Sequence, residues 1–288
     1  MRRFARFARL AAALVAAVLV GGCTYLAEKQ GELIFRPTKD EWRGFRTANA
    51  AVEDHWIPVG SSGDKLHAFW AAADKPDAPV LLYLHGARWN LTGSITRIDR
   101  WRRLGYHVLA IDYRGFGKST DVSPSEQRSY EDAEAAWDWL AARAPDKPRY
   151  IVGHSLGGAI ATELAVRRHD AAGVVLEATF TSIRDMIAHT AWSFLPVGLI
   201  LDQEFDSLSK IARIRSPLLI VHGTRDAIVP YEMGERLYAA ATAPKRFIRV
   251  EDGSHHNLSH VAFEEYRRVL AELFRSGGGG GRAAASPG

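Results

Sequence analysis

Residues Gly153-His154-Ser155-Leu156-Gly157-Gly158 constrain this chain more than any other stretch. They read G-x-S-x-G, follow the apolar run Tyr150-Ile151-Val152 directly, and lead into the helix-forming run 159–166. Strand, tight turn with a serine at its tip, then helix is the context that gives this short motif a chemical meaning. Gly153 and Gly157 have a steric role: without Cβ atoms they let the backbone take a sharp, strained turn with two chain segments close together. The turn lifts the Ser155 hydroxyl above the sheet and aims the first amide of the next helix at the same point. The rival reading is a glycine-rich turn carrying an incidental serine. Short motifs recur by chance, so the partners found downstream decide between the two.

The chain has 288 residues, enough for one large α/β domain with extensions. Runs of apolar and β-branched residues predict strands at 54–59, 65–71, 80–85, 107–112, 149–153, 173–177, 217–222 and 245–251. Several, such as Val80-Leu81-Leu82-Tyr83-Leu84 and Leu218-Leu219-Ile220-Val221, are continuously apolar and suit central strands of a parallel sheet covered on both faces. Amphipathic stretches predict helices at 94–104, 125–142, 155–168, 231–241 and 257–274. Their alternation implies an eight-stranded, mostly parallel sheet with helices on both faces. The expected organisation is a leader at 1–22, a tether and covering segment at 23–49, an α/β domain at 50–275, and a Gly/Ala/Ser-rich disordered tail at 276–288.

The formal charge of +4 is carried entirely by Arg2, Arg3, Arg6 and Arg9, so the body is close to neutral. Nothing else resembles a nucleic-acid module, and no nucleic-acid partner is expected. The arginines instead form the basic start of a signal peptide: Leu10 to Val20 carries no charge, Gly21 and Gly22 follow, and then comes Cys23. The apolar run is short for a membrane-spanning helix, which needs about 20 residues. Cys23 is the only cysteine, so it forms no intrachain disulfide. Val20-Gly21-Gly22-Cys23 resembles a bacterial lipobox, which implies lipidation of Cys23 and an exported, membrane-anchored protein of the bacterial envelope. An ordinary secretory peptide and an uncleaved amino-terminal anchor are the competing readings.

A serine hydroxyl is a poor nucleophile at neutral pH and needs a base beside it. Downstream of Ser155, the strand at 217–222 leads into His222-Gly223-Thr224-Arg225-Asp226, and the strand at 245–251 into Asp252-Gly253-Ser254-His255-His256. Asp226 lies just past a strand end, where loop amides can hold a carboxylate. Asp202 and Asp206 have no preceding strand and are poorer candidates. His255 and His256 compete as base, and the Gly-x-His spacing favours His255. His154 is read as pointing away from the serine's face, and His85 and His222 as structural. A metal site from His255, His256 and His260 lacks an acid or cysteine at ligand spacing, so no metal is expected. The loop 114–119 lacks nucleotide-fingerprint spacing, which argues against a phosphate loop.

Four motifs in order, Leu84-His85-Gly86, Asp112-Tyr113-Arg114-Gly115-Phe116-Gly117-Lys118-Ser119, the serine turn, and His222-Gly223-x-x-Asp226 with Gly253-x-His255, give residues 50 to 275 a clear family likeness. The chain resembles the α/β-hydrolase fold serine hydrolases, and is most similar to their short-lid branch. The resemblance implies Ser155 as nucleophile, His255 as general base and Asp226 as its orienting acid, in the chain order of that fold. It also implies the amides of Ala87 and Leu156 as oxyanion donors. No cofactor is implied, because every reacting group comes from protein. Between the strands ending at 177 and starting at 217 there is room for two short helices and a loop rather than a cap domain. An open, apolar-rimmed site of this kind suits a small-molecule or lipid-like acyl ester or thioester. An aminopeptidase-like amide hydrolase and a noncatalytic binding lipoprotein are the alternatives.

Overall fold

The computed structural model describes residues 21, 22, 25, 29–45, 51–190 and 201–277. Cys23, most of the expected leader and residues 278–288 of the expected tail lie outside them, as do Trp192, Phe194, Leu195 and Leu199 of the insertion. Eight strands form at the eight expected places: β1 (Glu53–Val59), β2 (Asp64–Ala71), β3 (Val80–Leu84), β4 (His107–Ile111), β5 (Arg149–His154), β6 (Gly173–Glu177), β7 (Leu218–Gly223) and β8 (Lys245–Val250). They make one sheet in the order β1-β2-β4-β3-β5-β6-β7-β8. β1–β2 and β2–β4 pair antiparallel, and every other pair is parallel.

The continuous apolar strands are covered on both faces, as their sequences require. Side chains alternate across the pleat. Leu82, Ile151, Leu218 and Ile220 therefore enter one core with α3 (Glu126–Arg143), α4 (Leu156–Arg167) and α7 (Tyr231–Ala240). Leu81, Tyr83, Val152, Leu219 and Val221 enter the other with α2 (Leu91–Arg103), α8 (Leu258–Val261) and α9 (Phe263–Gly277).

Three departures from expectation have local causes. The helix expected from residue 94 begins at Leu91, because the Asn90 side chain accepts the Thr92 amide as an N-cap. The helix expected over 257–274 is split at Ala262 into α8 and α9, and α9 runs on to Gly277, into the expected tail. The covering segment carries a helix, α1 (residues 29–35), whose Phe35 is fully buried. Its ring packs edge-on against Phe116 and Phe205, at centroid distances of 6.2 and 5.7 Å. In the insertion the described helices are α5 (Ile183–Ala188) and α6 (Ser207–Lys210), followed by a 3-10 turn at Ile211–Arg213.

Strand order reverses around β3, whose neighbours β4 and β5 are reached by crossovers in opposite directions. In open α/β sheets the crevice at such a switch point, beyond the carboxyl ends of the strands, is where ligands bind. The loop after β3 and the serine turn after β5 both lie there. The sheet's support comes from bulky side chains such as Trp137 of α3, which is buried in the first core. Trp137→Ala should lower unfolding stability by about 3–5 kcal/mol. Urea titration checks this through a lower midpoint at unchanged slope.

Candidate active site

The turn after β5 is strained as its glycines suggested. Ser155 has φ 55° and ψ −122°, in the left-handed half of the map that side chains other than glycine seldom enter. Hydrogen bonds hold it there: its amide donates to the Glu177 carbonyl (2.9 Å), and its carbonyl accepts from the Gly158 amide (2.9 Å) and the Thr179 hydroxyl (2.8 Å). A Cβ on Gly157 would stand 2.1 Å from the Leu84 carbonyl oxygen, so only glycine lets the turn sit this close to β3. The loop after β3 comes equally near, since a Cβ on Gly86 would be 3.1 Å from that of Ser155. Ala87 and Leu156 flank Ser155 in the wall of one cleft of about 850 Å³. Among the described residues neither amide donates to another protein group. For Leu156 that follows from its place in the first turn of α4.

Asp226 and His255 meet because the loops after β7 and β8 are stitched together. The Thr224 amide donates to the Val250 carbonyl (3.0 Å), and the Arg225 amide to the Gly253 carbonyl (2.9 Å). This sets His255 Nδ1 2.8 Å from Asp226 Oδ2, with the carboxylate fully buried and the imidazole nearly so. The other carboxylate oxygen accepts the amides of Ile228 and Val229, each at 2.9 Å. His222 Nε2 donates to the Val229 carbonyl (3.0 Å) and lies 3.4 Å from Asp226 Oδ2. Burial alone would raise the Asp226 carboxyl. The hydrogen bonds from His222 and His255, the charge on His255 and the Val229 amide outweigh it and hold the group well below the ordinary carboxylate range. With Nδ1–H engaged on a carboxylate, Nε2 of His255 is the nitrogen left to accept a proton.

His154 is not where the sequence suggested. It lies in the cleft wall, 4.9 Å between ring centroids from His255, and its Nε2 donates to the His255 carbonyl (2.9 Å). It sits at the last residue of β5, where the pleat gives way to the turn, so strand alternation no longer fixes its direction. Burial, then the nearby Arg97 guanidinium and His255, push its pKa well down and keep it neutral. Arg97 of α2 donates to the His256 carbonyl (3.1 Å). The loop carrying His255 is thus held at two successive carbonyls by two adjacent side chains. His256 lines the cleft, and burial, His255 and Arg97 lower its pKa too. Nothing in the sequence marked Arg97, because its role depends on a contact 159 residues away.

The remaining candidates have other tasks. The His85 ring nitrogen Nδ1 is 2.7 Å from the Gly86 carbonyl, and Nε2 is 3.3 Å from Asp112. Asp206 caps α6 by accepting the Ser209 amide (3.1 Å). Among the described residues no group of three His, Cys, Asp or Glu is arranged to hold a metal ion.

Residues 74–201 match the family model described as serine aminopeptidase, S33. An uncharacterised protein of Mycobacterium tuberculosis is 32% identical over 268 residues, 90% of this chain and 94% of that one. A lysophosphatidylserine lipase, ABHD12 of Danio rerio, is 34% identical over 221 residues, 66% of this chain and 55% of that one. This chain therefore spans about half the length of that lipase. The structure of an esterase from Pyrococcus furiosus superposes with a TM-score of 0.66 at 20% identity, covering 83% of this chain and 97% of that one. The chain belongs to the α/β-hydrolase family and is a serine hydrolase.

The depressed Asp226 carboxyl links the site to stability. Its contribution is present above the unfolded value of about 3.9 and is lost as pH falls through the lower folded value. Asp226→Asn should make the fall in unfolding free energy between about pH 5 and pH 3 shallower than in the wild type. Denaturant titrations across that range test the sign.

Proposed function

We propose that the chain hydrolyses carboxylic esters or thioesters of lipid-like acyl groups through an acyl-enzyme on Ser155, with His255 as base and Asp226 as its orienting acid. The observation that carries this reading is the 2.8 Å bond between His255 and a buried, ionised Asp226, on a loop fastened through His154 to the turn that bears Ser155. Ser155 Oγ attacks the acyl carbonyl and its proton passes to His255 Nε2. Asp226 stabilises the imidazolium that forms. The amides of Ala87 and Leu156 receive the negative oxygen of the tetrahedral intermediate. One such donor is typically worth about 2.7–4 kcal/mol. Collapse expels the alcohol or thiol, which takes the proton from His255. Water then enters, gives a proton to the same nitrogen, and releases the acid. Leu33, Ile34, Phe180, Ile183 and Met186 in the cleft wall suit an acyl chain, and the resemblance to lysophosphatidylserine lipases supports a lipid-like substrate.

The description of the matching family favours a second reading, hydrolysis of an aminoacyl amide by the same machinery. For location, the run Val20-Gly21-Gly22-Cys23 supports a lipid-anchored, exported protein.

Ser155→Ala should abolish labelling by a fluorophosphonate and lower kcat by about 10⁶-fold, and Asp226→Asn by about 10⁴-fold. His255→Ala should silence the enzyme and His256→Ala should lower turnover far less. The reverse order would assign the base to His256. A panel of nitrophenyl esters of graded acyl length, run beside a thioester and an aminoacyl anilide, should show ester and thioester turnover. Cleavage of the anilide alone would replace the esterase reading with the amidase one. Separately, Cys23→Ala should release the protein from membranes on fractionation, whereas continued retention would point to an uncleaved helix.

A further inference from the structure

Among the described residues six large apolar side chains stand well exposed: Tyr25, Leu33, Trp56, Trp89, Ile228 and Val261. A single exposed apolar side chain needs no explanation. Three of these, however, come from distant parts of the chain and converge on one place. Leu33 (59% exposed), Trp89 (47%) and Ile228 (49%) all line the cleft that contains Ser155.

Charge converges there too. Arg36, Arg43 and Arg88 line the same cleft and are exposed. Among the described residues none of them makes an ion pair with a carboxylate. Several arginines elsewhere are paired: Arg102 with Asp74 and Asp99, Arg149 with Asp170, Arg168 with Asp138, and Arg236 with Asp185. Arg213, Arg215 and Arg246 are exposed without a carboxylate partner among the described residues, so it is the clustering of three such cations in one cleft that sets this place apart. The lining contains only two acids, Asp40 and Glu41, against four arginines including Arg97. Arg88 is also held in a strained conformation, with φ 72°. Its amide donates to the Phe35 carbonyl (2.8 Å), and its carbonyl accepts from the Thr38 hydroxyl (2.7 Å). The Arg88 backbone is therefore braced, while the guanidinium groups of Arg36, Arg43 and Arg88 have no carboxylate partner among the described residues.

Apolar tips surrounded by unpaired cations match the chemistry of a bilayer surface. Large apolar side chains enter the boundary between headgroups and acyl chains, while arginines meet lipid phosphates. Sequence position agrees. Leu33 follows Cys23 by ten residues, and ten extended residues span at most about 35 Å. We propose that the mouth of the cleft is a docking face for an anionic lipid bilayer. Leu33, Trp89 and Ile228 enter the headgroup region, Arg36, Arg43 and Arg88 engage lipid phosphates, and acyl substrates pass to Ser155 directly from the membrane. Delivery of substrate rests on the esterase reading, whereas docking does not.

The test uses the full chain in a Cys23→Ala background with one new cysteine, Leu33→Cys at the rim or Val261→Cys away from it, each carrying an environment-sensitive fluorophore. With vesicles of phosphatidylglycerol and phosphatidylcholine, the probe at position 33 should shift to the blue and the one at position 261 should not. The shift should vanish with phosphatidylcholine alone and weaken in about 0.5 M salt. Arg36→Gln and Arg88→Gln should each weaken vesicle affinity about fivefold. Adding Ser155→Ala should remove turnover and leave docking intact, so that the two readings fail separately. A probe at position 33 that stays in water while the chain sediments with vesicles would overturn the proposal and leave attachment to residues 1–28. An equal response to neutral and anionic vesicles would remove the arginines' role. A shift that grows with protein concentration without vesicles would replace the bilayer with a second copy of the chain.

Discussion

The site is organised by one backbone constraint, the left-handed conformation imposed on Ser155. A non-glycine residue at φ 55° costs free energy that the surroundings must offset. Here they do so through the bonds to Glu177, Gly158 and Thr179 and through a contact with β3 that admits no side chain at Gly157. The same geometry brings three groups to one point. It projects the serine hydroxyl, exposes the Leu156 amide at the start of α4, and draws the Gly86–Ala87 loop alongside. Relaxing the turn would misplace all three at once. The strain is therefore retained where it fixes chemical geometry.

Around that turn the electrostatics divide the histidines by task. Asp226 is held ionised by His222, His255 and two loop amides, and of the three neighbouring imidazoles at 154, 255 and 256 only His255 is bonded to it. His154 is kept neutral by burial and by Arg97, which suits it to donate to a carbonyl rather than to exchange protons. His256 borders the cleft without touching the carboxylate pair. Three imidazoles in a row, with centroids 4.9 and 5.1 Å apart in a tilted and an edge-on pair, are thus distinguished by what each is bonded to.

Much of this was legible in the sequence because the signals were local. Runs of apolar and β-branched residues placed all eight strands to within a residue at either end, and the central ones were continuous because burial on both faces leaves few other residue types acceptable. Ser155, Asp226 and His255 were readable because each follows a strand end through a glycine-containing turn. What was missed depended on contacts between distant segments or on a single side chain. Asn90 was a readable cap that the periodicity of the following residues obscured. The break at Ala262 interrupts a pattern that stays amphipathic on both sides. The inward turn of His154 and the reach of Arg97 become apparent only once the β8 loop is folded over the sheet.

Phe35 gives the amino-terminal segment a mechanical significance. Its ring is wedged between Phe116, on the loop after β4, and Phe205, just before α6, while the carbonyl beside it braces Arg88 at the cleft rim. Tension applied ahead of α1 would be transmitted through this aromatic plug to the wall of the cleft. Whatever holds the segment ahead of α1 is therefore coupled to the shape of the cleft, and trimming it through residue 38 would strip Leu33, Ile34, Arg36 and Thr38 from the cleft wall.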